Sequence, residues 1–356
     1  MLSFLAIVLS LILVVGLHEA GHAITAYWCG VKIKRISIGF GRPLIKWKGK
    51  SGIEWVWALW PLGGYVQLLN SRIDPVPEQL YKHSFDKKKF WQKIVILSAG
   101  VVVNIMVAWL AFLIIHLAGY QQTKPEIAQV TPASIAATAG FQTNDRIIAI
   151  QGENTPSWKE VGMQLILALG NSQVKVVVQQ NNGPQRSLLL NMKLWEFKGG
   201  KNALLGGLGI KPNVSNSAKE QVLRSSFLNA CSQAWSQMLS TFLFFILMLK
   251  QMFSGAVPFA VLVGPLGIFA AMADSIHQGM VVFLYFIATL SITVAIINLL
   301  PIPGLDGGSI LYAVVEKVRK KPLSIAMEVL LHRLVTIVFV LLLVQLLLND
   351  LKRYLT

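Results

Sequence analysis

Acidic side chains are scarce in this sequence. Its 356 residues hold 16 Asp and Glu against 32 Lys and Arg, and charged residues of both signs make up only 13%. A chain so poor in charge, 54% hydrophobic and with a mean hydropathy of +0.59, reads as a polytopic membrane protein rather than a large soluble core. Cysteine is nearly absent. Its two copies, Cys29 and Cys231, fall in regions expected on opposite sides of a membrane, so no disulfide is expected between them and both read as packing residues. The N-terminal apolar run lacks the basic flank of a cleaved signal peptide and meets no ionisable group before His18. Polar residues are also few within the apolar stretches, which argues against a metal transporter, because a transport pathway needs several.

What charge there is falls in blocks. The net charge of +16 could suit nucleic acid, but its placement argues for no nucleic-acid partner. Residues 32–50 hold seven basic side chains, residues 72–93 six and residues 317–333 five. The much longer stretch 121–220 holds ten, diluted by six acids. Basic residues packed into short loops beside apolar spans mark the cytoplasmic side. The three clusters are therefore expected inside and the 121–220 region outside.

Along the chain the expected fold is a polytopic α-helical membrane protein with about four transmembrane helices, a membrane-associated β element and an inserted α+β domain. Residues 1–31 make the first span. Residues 32–70 alternate like a strand pair, broken at Gly39-Phe40-Gly41 and ended by Gly63-Gly64; a cluster of tryptophans suits the membrane interface. Residues 71–93 form a cytoplasmic interfacial segment, with a helix expected from Tyr81 onward, and 94–119 the second span, whose polar points are Asn104 and His116. Residues 120–213 have the composition of a soluble domain, with a helix from Trp158 and two strands joined by Asn181-Asn182-Gly183. They resemble a PDZ domain, which binds peptides by adding a strand to a sheet edge. Residues 214–278 are expected to be helical and to lie on the outer surface, because one more crossing there would put the 317–333 cluster outside. Residues 279–316 hold the third span, and residues 317–356 a cytoplasmic loop and the fourth.

Chemistry enters at His18-Glu19-Ala20-Gly21-His22. Two histidines four apart share one helix face and can reach a single metal ion, usually zinc, while the glutamate between them can take a proton from water. Ionisable groups inside a span are costly and by default functional. A catalytic zinc takes three protein ligands and keeps a fourth position open. Asp274, His277 and Asp306 are the candidates for the third. Asp274 and His277 sit near the outer end of a span, whereas Asp306 is 11 residues from Lys317, much as His18 is 14 from Lys32. Depth favours Asp306, although flanking Pro and Gly also suit a simple turn or helix cap.

These motifs together carry a resemblance. HEAGH in the first span and Leu305-Asp306-Gly307-Gly308 near a later one resemble the site-2 protease family of zinc intramembrane proteases, in particular its bacterial branch with a PDZ insert, the regulator-of-sigma-E type. Gly39-Phe40-Gly41, Pro61-Leu62-Gly63-Gly64-Tyr65-Val66, Asn104, Gly264-Pro265 and Asn298-Leu299-Leu300-Pro301 extend it over nearly the whole chain. The resemblance implies one catalytic Zn2+ held by His18, His22 and Asp306, with Glu19 as catalytic base. It implies a re-entrant β element, and substrate contacts from Asn298, Gly39, Phe40, Gly41, Gly63 and Gly64. It also implies a bacterial inner-membrane protein whose PDZ domain is periplasmic and whose active site lies near the cytoplasmic side. The partners would be the bilayer and single-span membrane substrates, either an anti-sigma factor or signal-peptide remnants. Val101 stands where many members have proline, Ser309 where many have histidine, and there is room for one PDZ domain rather than two. An inactive PDZ-bearing scaffold is the main alternative, but binding alone has no need of Glu19.

Overall fold

Helix α1, Leu2–Trp28, is built from the apolar run at the start of the chain. One π turn interrupts it at Ile12–Gly16, where the Leu17 N–H reaches back five residues to Ile12. Its buried positions include Ala6, Ser10, Val14, His18, His22 and Ala26, each four residues from the last. In a computed structural model the chain forms two compact units, and all residues are described except 50–51, 74, 181–182, 196–202, 216–217, 260–261 and 356.

The first unit comprises Met1–Ile114, Ala234–Met238 and Ile268–Val344. After α1 come two long antiparallel strands, β1 (Ile33–Lys48) and β2 (Glu54–Leu68). Each bends and pairs twice, so that Ile36 faces both Val66 and Trp55, while Lys46 and Trp47 pair with Val56 and Trp55. The bend of β1 falls at Gly39 and Gly41, whose φ values of 91° and 88° suit residues without a Cβ. Contrary to the sequence reading, Gly63-Gly64 does not end the strand, which runs on to Leu68. Glycine is needed at residue 64 for a close approach: a Cβ there would stand 2.8 Å from the Ser37 carbonyl oxygen and 3.1 Å from Glu19 Cγ. The interfacial helix expected from Tyr81 is also absent. Two short 3₁₀ turns, Glu78–His83 and Phe85–Lys87, fill that stretch, and helix α2 begins at Phe90 and runs to Ala118.

Helices pack in an apolar solvent through small residues, because burial from lipid gives little drive. Gly21 of α1 lies against α2, with a built Cβ 2.9 Å from the Ala99 carbonyl oxygen. Ala6 and Val14 pack with Phe283 and Ile287 of a later apolar helix, Met280–Leu299.

The second unit comprises Ile115–Gln233, Leu239–Gly267 and Gln345–Thr356. In chain order it contains β3 (Tyr120–Thr123), β4 (Ile127–Val130), α3 (Ile135–Ala139), β5 (Asp145–Ile150), β6 (Glu153–Asn154), α4 (Trp158–Leu167), β7 (Val174–Gln180), β8 (Gln185–Leu190), α5 (Ala203–Leu208), β9 (Ile210–Pro212) and β10 (Lys219–Val222). The main sheet has the order β6-β5-β7-β8, and β3 pairs with β10 where the chain leaves and re-enters. Ser157 caps α4 by accepting from the Lys159 N–H, and its hydroxyl donates to the Glu160 carboxylate. Ile127, Ile147, Val161, Leu165, Val176 and Leu190 form the core. Of the turn expected at Asn181-Asn182-Gly183, the two asparagines lie outside the described residues.

Helix α6, Phe227–Phe253, follows. Near its start the Ser225 N–H bonds the His116 carbonyl, and near its end Met252 joins the core of this small domain. Then come α7 (Pro265–His277), α8 (Met280–Leu299), α9 (Asp306–Arg319) and α10 (Ile325–Leu355). Where the sequence suggested about four spans, five helices among the described residues are long and apolar enough to cross a membrane: α1, α2, α6, α8 and α10. Helix α6 is the least apolar of them, with a mean hydropathy of 1.3 against 2.2–2.5 for the others.

Candidate metal centre

The i, i+4 spacing of His18 and His22 sets both rings on one face of α1, and both are buried. Their Nε2 atoms are 3.2 Å apart. Asp306 comes from the first turn of α9, and its Oδ2 lies 3.3 Å from His18 Nε2 and 3.2 Å from His22 Nε2. The other two candidates for a third ligand are not brought here: Asp274 is exposed, and His277 bonds Ser3 at the far end of α1.

Hydrogen bonding decides what the three facing atoms are. His22 Nδ1–H donates to the Ile96 carbonyl at 2.8 Å, which leaves its Nε2 a bare lone pair. His18 Nδ1 lies 3.2 Å from the amide nitrogen of Asn104, a fully buried residue of α2 whose Oδ1 has no partner. Turning that amide over, an exchange that leaves its shape unchanged, sets Oδ1 against Nδ1–H and leaves His18 Nε2 bare as well. Asp306 Oδ2 is buried without any hydrogen-bond donor. Three acceptors that face one another in a buried site repel unless a cation stands between them. Their separations fit an ion such as zinc: bonds of about 2.0–2.1 Å in a tetrahedron put ligand atoms roughly 3.3 Å apart.

Gly100 of α2 completes the cradle. A Cβ on it would lie 2.3 Å from His22 Nε2, 2.6 Å from His18 Cε1 and 2.7 Å from His18 Nε2. Neither Gly100 nor Asn104 was assigned to the site from sequence. The available signal was their spacing, a glycine and an amide four apart on one face of an apolar helix.

Asp306 reaches the histidines because the chain folds back sharply before it. Helix α8 ends at Leu299, Gly304 takes φ 95°, and α9 opens at Asp306 with Leu305 as N-cap. Cβ atoms on Gly307 and Gly308 would stand 2.3 Å from the Leu299 oxygen and 2.1 Å from the Ile302 oxygen. The double glycine thus lets α9 cross directly over the preceding backbone, and the carboxylate also sits at the positive end of its helix. Gly308→Ala is expected to cost about 1–3 kcal/mol by overpacking and to lower the thermal midpoint of the purified protein. An unchanged midpoint with full zinc content would show that the turn has room to spare.

A cavity of about 450 Å³ opens beside the three ligand candidates. Glu19, half-buried, lines it and takes a hydrogen bond from the Val66 backbone. Gly63, Gly64, Tyr65 and Val66 of β2 form one wall, with Asn298 and Val294 of α8 and Phe339 of α10 elsewhere on the lining. Among the described residues, β1 is the only strand paired with this stretch of β2, so its outer edge is open. Of the residues expected to touch substrate, the structure brings Asn298, Gly63 and Gly64 to the cavity. Gly39 and Gly41, at the bend of β1, are not among the described residues of its lining, and the Phe40 side chain lies outside what the structure describes.

Comparison with known proteins agrees with this chemistry. The model of peptidase family M50 matches residues 6–343. The chain is 29% identical to a putative zinc metalloprotease of Vibrio cholerae serotype O1, covering 90% of this chain and 92% of that protein. It is 28% identical to the regulator of sigma-E protease of Salmonella typhimurium, with 98% of each covered, and 28% identical to that of Escherichia coli strain K12, with 99% and 100% covered. The alignment to the Salmonella protein runs over 444 positions, so at least 88 of them have no counterpart in these 356 residues.

Proposed function

The chain belongs to peptidase family M50, the site-2 proteases, as a zinc metalloprotease of the membrane, and on that premise we propose that it hydrolyses a peptide bond inside the transmembrane segment of single-span membrane proteins. The observation that carries this reading is the placing of two bare histidine nitrogens and a carboxylate on a membrane-length helix, facing a third bare ligand atom from the first turn of α9, beside a cavity walled by an open strand edge.

His18, His22 and Asp306 hold the zinc, and Asn104 fixes the ring of His18 as the Ile96 carbonyl fixes that of His22. When bound, zinc supplies a Lewis acid for the scissile carbonyl and makes water acidic enough to attack at neutral pH. Glu19 takes the proton of the attacking water at its carboxylate and delivers it to the leaving nitrogen. A helical substrate hides its carbonyls in its own hydrogen bonds and must first unwind. The outer edge of β2 at residues 63–68 receives the unwound segment as an added strand, and Asn298 bonds its backbone from the other side of the cavity.

The β1–β2 sheet dips into the membrane as a re-entrant element in this reading, and the basic clusters at 32–50, 72–93 and 317–333 face the cytoplasm of a bacterial inner membrane. The small domain in the second unit is a PDZ domain on the periplasmic side. Helix α6 lies along that surface instead of crossing. Its lower hydropathy and the attachment of both its ends to elements of one unit support this. The substrates are an anti-sigma factor, remnant signal peptides or both, on the strength of relatives named regulator of sigma-E protease.

The test is cleavage of a tagged single-span protein by the reconstituted enzyme, with the new termini located by mass spectrometry. Termini inside the apolar segment support the proposal, whereas cuts only in the flanks would sink it. The ligand shell has its own test. Asn104→Leu should weaken zinc binding about 10–100-fold, and Asn104→Asp, which can still accept from Nδ1–H, far less. Competition with a zinc indicator measures this. Equal affinity in all three proteins would remove Asn104 from the shell.

A further inference from the structure

A second concavity lies in the first unit, apart from the metal centre. Its volume is about 620 Å³, and it is lined by Arg72, Lys87 and Lys93 from one stretch of chain and by Lys317, Lys320 and Lys321 from another. Two carboxylates share the lining, and both are already engaged. Glu316 accepts from Arg72 at 2.8 Å and lies 3.7 Å from Lys93. Asp86 accepts from the Ser71 N–H and hydroxyl at 2.9 and 2.6 Å and lies 3.6 Å from Lys87. Burial pushes its carboxyl up, but the Ser71 bonds outweigh this and hold it below the ordinary range. Among the described residues, none of Lys317, Lys320 and Lys321 has a carboxylate partner. Arg72 also bonds the Leu323 carbonyl at 2.5 Å and Glu328 at 2.8 Å, fastening the end of α9 to the start of α10.

Cations on the last turn of α9 suit its negative end. That does not account for lysines from a different stretch converging on the same hollow, where Lys317, Lys320 and Lys321, all exposed, bring three further positive charges beside Lys87 and Lys93. An anion in the hollow relieves the repulsion. Its level in the membrane narrows the choice. The hollow lies at the first turn of α2 and just before α10, two apolar helices of membrane length, and Phe90 and Trp91 stand exposed beside it. Aromatic side chains at the end of a span mark the headgroup layer.

We infer that this hollow binds the phosphate of an anionic phospholipid headgroup, held by Lys87, Lys93, Lys317, Lys320 and Lys321, and that the lipid anchors the far end of the helix that carries Asp306. The inference does not depend on the protease reading, because its readout is bound lipid.

The full chain is purified in mild detergent with trace phosphatidylglycerol or phosphatidylcholine and analysed by native mass spectrometry. Two triple variants accompany it: Lys317→Gln, Lys320→Gln, Lys321→Gln, and a charge-matched control, Arg42→Gln, Lys48→Gln, Lys82→Gln. The wild type and the control should retain one phosphatidylglycerol in preference to phosphatidylcholine, and the pocket variant should bind it about a hundred-fold more weakly. Zinc content, unchanged in both variants, serves as the check on folding. Equal retention by the pocket variant would overturn the proposal. So would equal losses in both variants, which would mean diffuse attraction to a basic surface. Retention of inorganic phosphate without preference for the anionic lipid would also overturn it, assigning the hollow to a soluble anion.

Discussion

Gly100→Ala is expected to leave a folded, membrane-inserted protein that takes up no zinc. The added methyl would stand 2.3 Å from His22 Nε2 and 2.7 Å from His18 Nε2, in the space the ligand atoms enclose. Relief must come from the rings or from the helix. Swinging the His22 ring away breaks its bond to the Ile96 carbonyl and takes Nε2 off the axis toward Asp306. Moving α2 outward is opposed by its tight contact with Gly21. The fold should bear the overpacking, at about 1–3 kcal/mol, far better than the site can bear the displacement. Metal analysis of the purified protein reads the result, beside its helical circular dichroism. Gly16→Ala is the control, because a Cβ there finds its nearest neighbour at 3.9 Å. Stoichiometric zinc in Gly100→Ala would mean that the ion sits elsewhere.

Glu19→Gln should separate metal binding from turnover. The amide keeps the shape of the side chain, and its oxygen can still accept from the Val66 backbone, so the wall of the cavity stays intact. What it loses is the capacity to take a proton. Single-turnover cleavage should fall about 10²–10⁴-fold, the usual contribution of a general base, with zinc content and substrate retention unchanged. A fall of less than about ten-fold would assign proton transfer to another group.

The parts of this site that sequence revealed are those that local periodicity dictates. Two histidines four apart must share a helix face, and Asp306 stood out because an acid at that depth in an apolar context is rare. Long apolar runs made the helices legible in the same way. Gly100 and Asn104 were not legible as site residues, since what they touch is decided by the crossing of α1 and α2. Gly64 misled for a related reason. Read alone it ends a strand, but here it lets the strand continue past Glu19. The helix expected from Tyr81 failed because its aromatic and basic residues describe an interface without specifying a backbone. Phe227–Phe253 shows the limit of composition, since length and apolarity allow a crossing that its attachments do not require.

The π turn in α1 works as a phase adjuster. A stripe repeating every four residues from Ala6 to Ala26 would wind about 200° around a regular helix and finish on the far side. Absorbing one residue in the wide turn cuts the winding to roughly 100°, the width of a single packed face. The anchoring half of the helix and its chemical half therefore share an orientation only through that turn. Removing one residue between Ile12 and Gly16 would close the wide turn to a regular helix and leave that angle unchanged, whereas regularising the turn with every residue kept would aim His18 and His22 about 100° away from the face that packs with Phe283 and Ile287. In this helix the sensitive dimension is rotational: length can vary, and angular register cannot.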